Sequence, residues 1–193
     1  MADQKEAEAE KQLQAFIDKF EPGHRSLIRD ARRQLQERFP TACELVYDNY
    51  NFFVIGYSPT ERPLDSVVSI AAAANGVGLC FIRGASLPDP QKVLLGSGKQ
   101  TRFVRLDAPG VIARPVVAAS LDAAADAGKA LFAPEGRGGL IIRSVSAKQK
   151  PRRKTAKVTG KGTRKATTPP KASAKGGTPR KERKRQANPN GKK

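Results

Sequence analysis

The feature that most constrains this 193-residue chain is a sharp change of composition near residue 146. Residues 148–193 contain 18 Lys or Arg residues and a single acid, Glu182, which gives a net charge of +17. After Val145 the only Val, Ile, Leu, Met or Phe is Val158. Such a segment buries too little apolar surface to offset the entropy that it would lose on ordering. We therefore predict a disordered polybasic tail over residues 147–193.

The rest of the chain is nearly neutral and long enough to bury one modest core. The whole sequence has 36 basic and 18 acidic residues. Residues 1–147 therefore hold 18 basic and 17 acidic residues, a net charge of +1. The N-terminus is acidic and polar where a secretory signal would be basic and then apolar. No apolar run approaches membrane-spanning length. We expect a cytoplasmic protein without membrane contact, associated with the nucleoid if it is bacterial.

Two amphipathic helices are predicted at the start of the chain. The first occupies residues 1–22 and ends at Pro22-Gly23, and the second ends before Pro40. The outer face of the second helix is rich in arginine, which is typical either of phosphate contact or of an ordinary solvated surface. The apolar stripes are Ala9, Leu13, Phe16, Ile17 and Phe20, then Leu27, Ile28, Ala31, Leu35 and Phe39; the outer arginines are Arg25, Arg29, Arg32 and Arg33.

Short strands dominate the middle of the chain. Asn75-Gly76 between two apolar runs predicts a tight hairpin, because both residues tolerate positive φ. Pro115 suits the first position of a helix, which Gly128 ends. The pattern predicts an α+β domain over residues 23–146, a small antiparallel sheet with helices packed on one face. The predicted strands are 44–47, 52–57, 66–73, 77–82, 99–106 and 140–145, with a helical turn at 92–95 and a helix at 115–127.

The residues offer little for catalysis or metal binding. His24 is the only histidine, and Cys43 and Cys80 lack the paired spacing of a zinc site. The run from Gly96 to Thr101 resembles a phosphate loop but lacks its first glycine and the Ser or Thr after Lys99. We therefore predict a protein that is not an enzyme, with no catalytic residue, metal or cofactor.

The basic tail predicts contact with nucleic acid. Lys and Arg on an extended, proline-broken chain gain affinity by releasing counterions from phosphates, independently of base sequence. The tail has no aromatic residue on which bases would stack, which favours duplex DNA or structured RNA. Aid to solubility, chance ribosome binding and a nuclear address remain alternatives. The predicted phosphate contacts are Lys150, Arg152, Arg153, Lys154, Arg164, Lys165, Arg180, Lys181, Arg183, Lys184 and Arg185.

Several motifs between residues 26 and 127 resemble the YdhG-like domain family of bacteria, whose function is mostly unknown. They are Pro40 with the following Glu44-Leu45-Val46-Tyr47, the strand Val77-Gly78-Leu79, the loop Gly98-Lys99-Gln100-Thr101-Arg102-Phe103, and the proline-started helix. The family usually continues its Tyr with Gly-x-Pro, whereas Asp48-Asn49 follows Tyr47 here. Thr168-Pro169-Pro170-Lys171 and Thr178-Pro179-Arg180-Lys181 also resemble elements of linker-histone tails.

This resemblance implies an α+β fold with a curved antiparallel sheet, and it suggests a frataxin-like intracellular iron chaperone. No iron ligand carries over, because the family offers no metal motif that is matched here. Tyr47, Lys99 and Arg102 are the candidate lining of a pocket for an anion or other ligand. The leading hypothesis is a non-enzymatic domain, with an unknown protein or small ligand as its partner, held on nucleic acid by its tail. The alternative is an iron-binding chaperone with an incidental tail.

Overall fold

The computed structural model describes residues 2–154, with side chains from Gln4 onward. In this part of the chain no helix is long and apolar enough to cross a membrane. The predicted disorder beyond Lys154 lies outside the described residues. So do seven of the predicted phosphate contacts: Arg164, Lys165, Arg180, Lys181, Arg183, Lys184 and Arg185.

Three helices and six strands make up the domain, which confirms the α+β prediction. Helices α1 (Ala2–Asp18) and α2 (Pro22–Arg38) precede the sheet, and α3 (Pro115–Asp126) follows five of its strands. Pro22 and Pro115 each begin a helix, where a missing N–H costs nothing. The strands are β1 (Cys43–Asp48), β2 (Phe53–Ser58), β3 (Val68–Ala73), β4 (Gly76–Phe81), β5 (Arg102–Arg105) and β6 (Leu140–Val145).

The six strands form one sheet in the order β5-β4-β3-β2-β1-β6. The first five strands along the chain pair antiparallel with their neighbours, as the short connections of β1–β2 and β3–β4 require. Strand β6 instead returns after α3 and pairs parallel with β1, with a register shift between Val46 and Tyr47. The sheet is therefore mostly antiparallel, and β6 covers the outer edge of β1.

The hydrophobic core lies between the helices and one face of the sheet. In β2, Phe53, Ile55 and Tyr57 alternate toward this core and are fully buried. Phe16 of α1 and Phe20, two residues after the end of α1, contact Phe53 with ring centroids 6.2 and 5.9 Å apart. Each such side chain contributes about 1.5–3 kcal/mol by leaving water. The apolar stripes predicted for the helices thus pack against the buried face of the sheet.

The structure corrects three local predictions. The first helix is not a separate segment over residues 1–22, since it ends at Asp18 and packs into the same compact unit as the sheet. The β3–β4 turn has Ala74 and Asn75 at its centre rather than Asn75-Gly76, because Ala73 pairs with Gly76. Residues 92–95 form no helical turn, because the Asp89 carboxylate accepts hydrogen bonds from the N–H groups of Val93 and Leu94 and because Leu95 bridges to Phe103.

Candidate nucleic-acid interface

The predicted tail begins within the fold, because residues 146–153 pack against the domain. We call these residues the C-terminal clasp. At their centre Arg152 is only 4% exposed, and its Nη2 lies 2.8 Å from Asp48 Oδ1 on β1. The domain boundary predicted at residue 146 therefore lies too early. Arg152 was also wrongly predicted as a phosphate contact, because its guanidinium is already buried against a carboxylate.

Both terminal nitrogens of Arg152 have partners inside the protein, whereas its buried Nε has none among the described residues. Its Nη1 donates a hydrogen bond of 2.9 Å to the carbonyl of Asn51, and its Nη2 also binds the carbonyl of Asn49. The guanidinium carbon lies 5.9 Å from the centre of the Phe20 ring. Lys19 reaches the other oxygen of Asp48 at 2.6 Å. A buried charge persists only with such partners, so the clasp joins the residues that follow α1 to the β1–β2 loop.

The residues beside Arg152 complete the clasp. Arg153 donates to the carbonyls of Asp18, Lys19 and Phe20, each at 3.2 Å, where the last carbonyls of a helix lack intrahelical partners. A cation also suits the negative end of the helix dipole. The backbone N–H of Lys150 donates to the carbonyl of Tyr50 at 2.9 Å. The clasp therefore fixes the point from which the chain continues past Lys154.

Three predicted phosphate contacts remain exposed, two on the clasp and one directly after it. Lys150, Arg153 and Lys154 are all exposed. Next to Lys150 the structure places two aromatic side chains that the sequence analysis did not single out, Tyr50 at 52% exposure and Phe52 at 51%. For Tyr50 the one available signal was its position in the predicted turn between two strands, where a side chain has no sheet face to occupy. Phe52 gave no such signal, because the predicted strand 52–57 began one residue too early and included it.

A shallow groove of about 270 Å³ lies between the β1–β2 loop and the β3–β4 turn and is lined by Phe52 and by Lys150, the residue that contacts Tyr50. We call Tyr50, Phe52, Lys150 and Pro151 the aromatic patch. The Lys150 ammonium lies 5.4 Å from the centre of the Tyr50 ring. None of the described residues that line the groove is acidic; they are Asn51, Phe52, Ala73, Ala74, Asn75, Lys150 and Pro151.

The predicted ligand pocket does not form. Tyr47 lies on β1 and Arg102 on β5, four strands apart in the sheet, which corresponds to about 19 Å at the usual strand spacing. Arg102 instead binds the carbonyls of Gly98 and Thr101 in its own loop, and Lys99 is exposed in that loop. The resemblance of the loop to a family motif gave no information on its distance from Tyr47.

A buried polar cluster was also missed by the sequence analysis. Arg32 was predicted on the outer face of α2 but bridges Glu10 of α1 and Glu44 of β1, each at 2.7 Å. The Tyr57 hydroxyl donates to Glu44 at 2.9 Å. These side chains line a groove of about 880 Å³, together with Phe39, Gly138 and Leu140.

The charged and polar side chains of this cluster are hydrogen-bonded to one another. Burial opposes the charge of Arg32, but hydrogen bonds to Glu10 and Glu44 raise the pKa of its guanidinium. The same hydrogen bond from Arg32 lowers the pKa of Glu10. Burial, and then the Glu44 charge, raise the pKa of Tyr57 well above its ordinary value. At neutral pH the cluster therefore holds two carboxylates on one guanidinium and a protonated phenol, an arrangement that fixes α1, α2 and the sheet together.

We expect the free energy of unfolding to fall as the pH rises past the ordinary tyrosine pKa of about 10. Tyr57 keeps its proton in the folded state but ionises in the unfolded chain, so its contribution is present below that pH and lost above it. Tyr57→Phe should remove this part of the alkaline loss and cost about 1.5–3 kcal/mol at neutral pH, through the lost hydrogen bond to a charged group. Urea unfolding across this pH range measures both effects. The same alkaline loss in both proteins would contradict the assignment.

Comparison of the chain with protein-family models, curated proteins and solved structures finds no match. The resemblance to the YdhG-like family and the iron-handling role that it implies therefore stay predictions. Within the described residues, no three His, Cys, Asp or Glu side chains lie grouped so as to hold a metal ion. Both cysteines are free and half-buried, and burial raises the pKa of Cys80, so its thiol is protonated at neutral pH.

Proposed function

We propose that this protein is a non-enzymatic nucleic-acid-binding protein whose C-terminal segment holds backbone phosphates, with DNA as the first candidate partner. The observation that carries the proposal is the segregation of charge along the sequence. Residues 1–147 have a net charge of +1, and residues 148–193 have a net charge of +17. Basic residues so concentrated bind a polyanion by displacing its counterions, whatever the base sequence. Such binding places the protein on the nucleoid if it is bacterial.

The clasp supports this proposal by anchoring the basic segment. Because Arg152 is buried against Asp48, the chain leaves the domain at a fixed place, next to the exposed Lys150, Arg153 and Lys154. Beyond Lys154 the sequence holds 13 further Lys or Arg residues and one acid, a net charge of +12. Arg152 itself contributes nothing to phosphate binding in this arrangement. The exposed end of the clasp and the segment that follows it form one continuous basic stretch.

The salt dependence of affinity tests this function directly. If the segment engages about 6–10 phosphates, affinity for a duplex should fall on the order of 10³-fold or more between roughly 50 and 200 mM salt. A fluorescence-anisotropy titration of a labelled duplex with the full chain, repeated at several salt concentrations, measures the slope. An unrelated duplex of the same length is the control and should bind equally well. Absence of binding at low salt, or a slope near zero, would contradict the proposal.

A further inference from the structure

The β1–β2 loop exposes two aromatic rings that the core does not use. Tyr50 and Phe52 are each about half exposed, whereas the next residue, Phe53, is fully buried. Single apolar side chains are common on protein surfaces. Here two exposed aromatic rings lie in one four-residue loop, beside a cation and a groove. Such a surface suits a ligand with a flat apolar face.

The backbone that carries these rings is held in place. Within the loop, the N–H of Asn49 donates to the carbonyl of Phe52 at 3.0 Å. The clasp binds the two intervening carbonyls, that of Tyr50 through the Lys150 N–H and that of Asn51 through Arg152. A ligand that binds here therefore meets rings on an ordered loop, which reduces the conformational entropy lost on binding.

The charges around the patch select an anionic ligand. Lys150 lies against the Tyr50 ring, and Lys148 and Lys154 are exposed close to it in the sequence. The described residues that line the groove include no acid. In the sequence, a segment of net charge +12 follows Lys154. A ligand that combines flat rings with closely spaced negative charges matches the rings and the neighbouring cations of the patch.

We propose that the aromatic patch stacks the unpaired bases of a single-stranded stretch of nucleic acid. This inference rests on the proposed function and specifies its substrate, because the C-terminal segment holds the phosphates of the same strand. Every base has a π-face, so stacking on Tyr50 and Phe52 is tolerant of sequence. The faces of the bases in a duplex are already stacked on one another, so a duplex offers the patch only its sugar–phosphate backbone. The domain thus supplies the aromatic rings that the tail lacks.

Phe52→Ala in the full chain is the direct test. Loss of one stacking ring should weaken binding of a mixed-sequence single strand by about 5- to 150-fold, while binding of the same sequence as a duplex stays unchanged. Anisotropy titrations with the DNA single strand, the RNA single strand and the duplex measure the three affinities. Tyr50→Ala should act in the same direction, and Phe52→Tyr, which keeps a ring, should restore single-strand binding.

Leu64→Ala is the matched control, since Leu64 is 72% exposed on the β2–β3 connection, at the opposite end of the sheet from the β1–β2 loop. It should leave all three affinities unchanged. Tyrosine emission gives a second readout because the chain has no tryptophan. A stacked single strand should quench emission in the wild type and much less in Tyr50→Phe.

The outcomes separate this inference from the proposed function. Equal affinity of Phe52→Ala and wild type for the single strand, or equal losses on single strand and duplex, overturns the stacking inference and leaves phosphate binding intact. Failure of the wild-type chain to bind any of the three oligonucleotides overturns the proposed function itself. A preference for the RNA strand over the DNA strand would identify the source of the unpaired bases and support the inference.

Discussion

Replacing Arg152 with methionine is expected to lower the free energy of unfolding by about 3–5 kcal/mol. The substitution leaves the Asp48 carboxylate buried, at 1% side-chain exposure, with only the part-exposed Lys19 as its charged partner. It also frees the carbonyls of Asn49 and Asn51, which Arg152 now binds. Domains of this kind have a total stability of about 5–15 kcal/mol. Urea unfolding of the full chain, with the slope compared between variants, measures the loss.

Two further variants separate the buried pair from general effects of charge. Arg153→Met removes an equal charge from an exposed side chain that binds only helix-end carbonyls, and it should cost about 1 kcal/mol or less. Replacing Asp48 with leucine together with Arg152→Met removes both buried charges and should recover much of the loss. An Arg152→Met protein as stable as the Arg153→Met protein would show that the clasp does not hold the fold.

The sequence predicts the helices and strands well, for a local reason. The stripe of Leu13, Phe16, Ile17 and Phe20 has helical spacing, and Phe53, Ile55 and Tyr57 alternate with the period of a strand. Each pattern appears within a dozen residues, so no tertiary information is needed. The pairing of β6 with β1 depends on a crossover of about 90 residues and was not predicted. Only the position of β6 itself, at residues 140–145, followed from its apolar run.

The burial of Arg152 could not be predicted from its surroundings in the chain. Arg152 stands in the run Lys150-Pro151-Arg152-Arg153-Lys154, and composition treats all of these cations alike. The residue that sets it apart is Asp48, 104 positions earlier. Only the folded sheet brings this carboxylate to the chain that leaves β6. Charge clustering therefore predicted a basic segment correctly but not which of its members serves the fold.

The polar cluster was partly predictable. Arg32 lies four residues after Ile28 and three before Leu35, at the border of the buried stripe of α2, where a long side chain reaches inward. Its two carboxylate partners, Glu10 and Glu44, belong to other elements and carry no local signal. The prediction of a pocket lined by Tyr47, Lys99 and Arg102 was wrong for a related reason. Strand order, which sequence spacing does not give, places Tyr47 four strands away from Arg102.

Ending the chain at Lys154 is expected to cause the largest loss of nucleic-acid binding. This truncation removes a net charge of +12 but keeps the clasp, the aromatic patch and every described contact of the domain. Most phosphate contacts should disappear, so affinity at roughly 50 mM salt should fall on the order of 10³-fold and the salt slope should flatten. A cut at residue 146 is a poor substitute, because it also removes Arg152 and destabilises the fold.

A full-length control separates charge from chain length. Replacing Arg180, Lys181, Arg183, Lys184 and Arg185 with glutamine removes five of the 13 cations beyond Lys154 and leaves every proline in place. Its affinity and its salt slope should lie between those of the wild type and the truncated chain. The free energies of unfolding of all three proteins should agree, since no substituted or deleted residue takes part in the described core.

The central claim, that the segment beyond the clasp holds nucleic acid by its phosphates, is tested most directly by one comparison. The dissociation constants of the full chain and the chain ending at Lys154 are measured for the same single-stranded oligonucleotide across a salt series. We predict tight, steeply salt-dependent binding by the full chain, and weak, nearly salt-independent binding by the truncated chain. Equal affinities and equal slopes for the two proteins would contradict the claim and move the binding site into the domain.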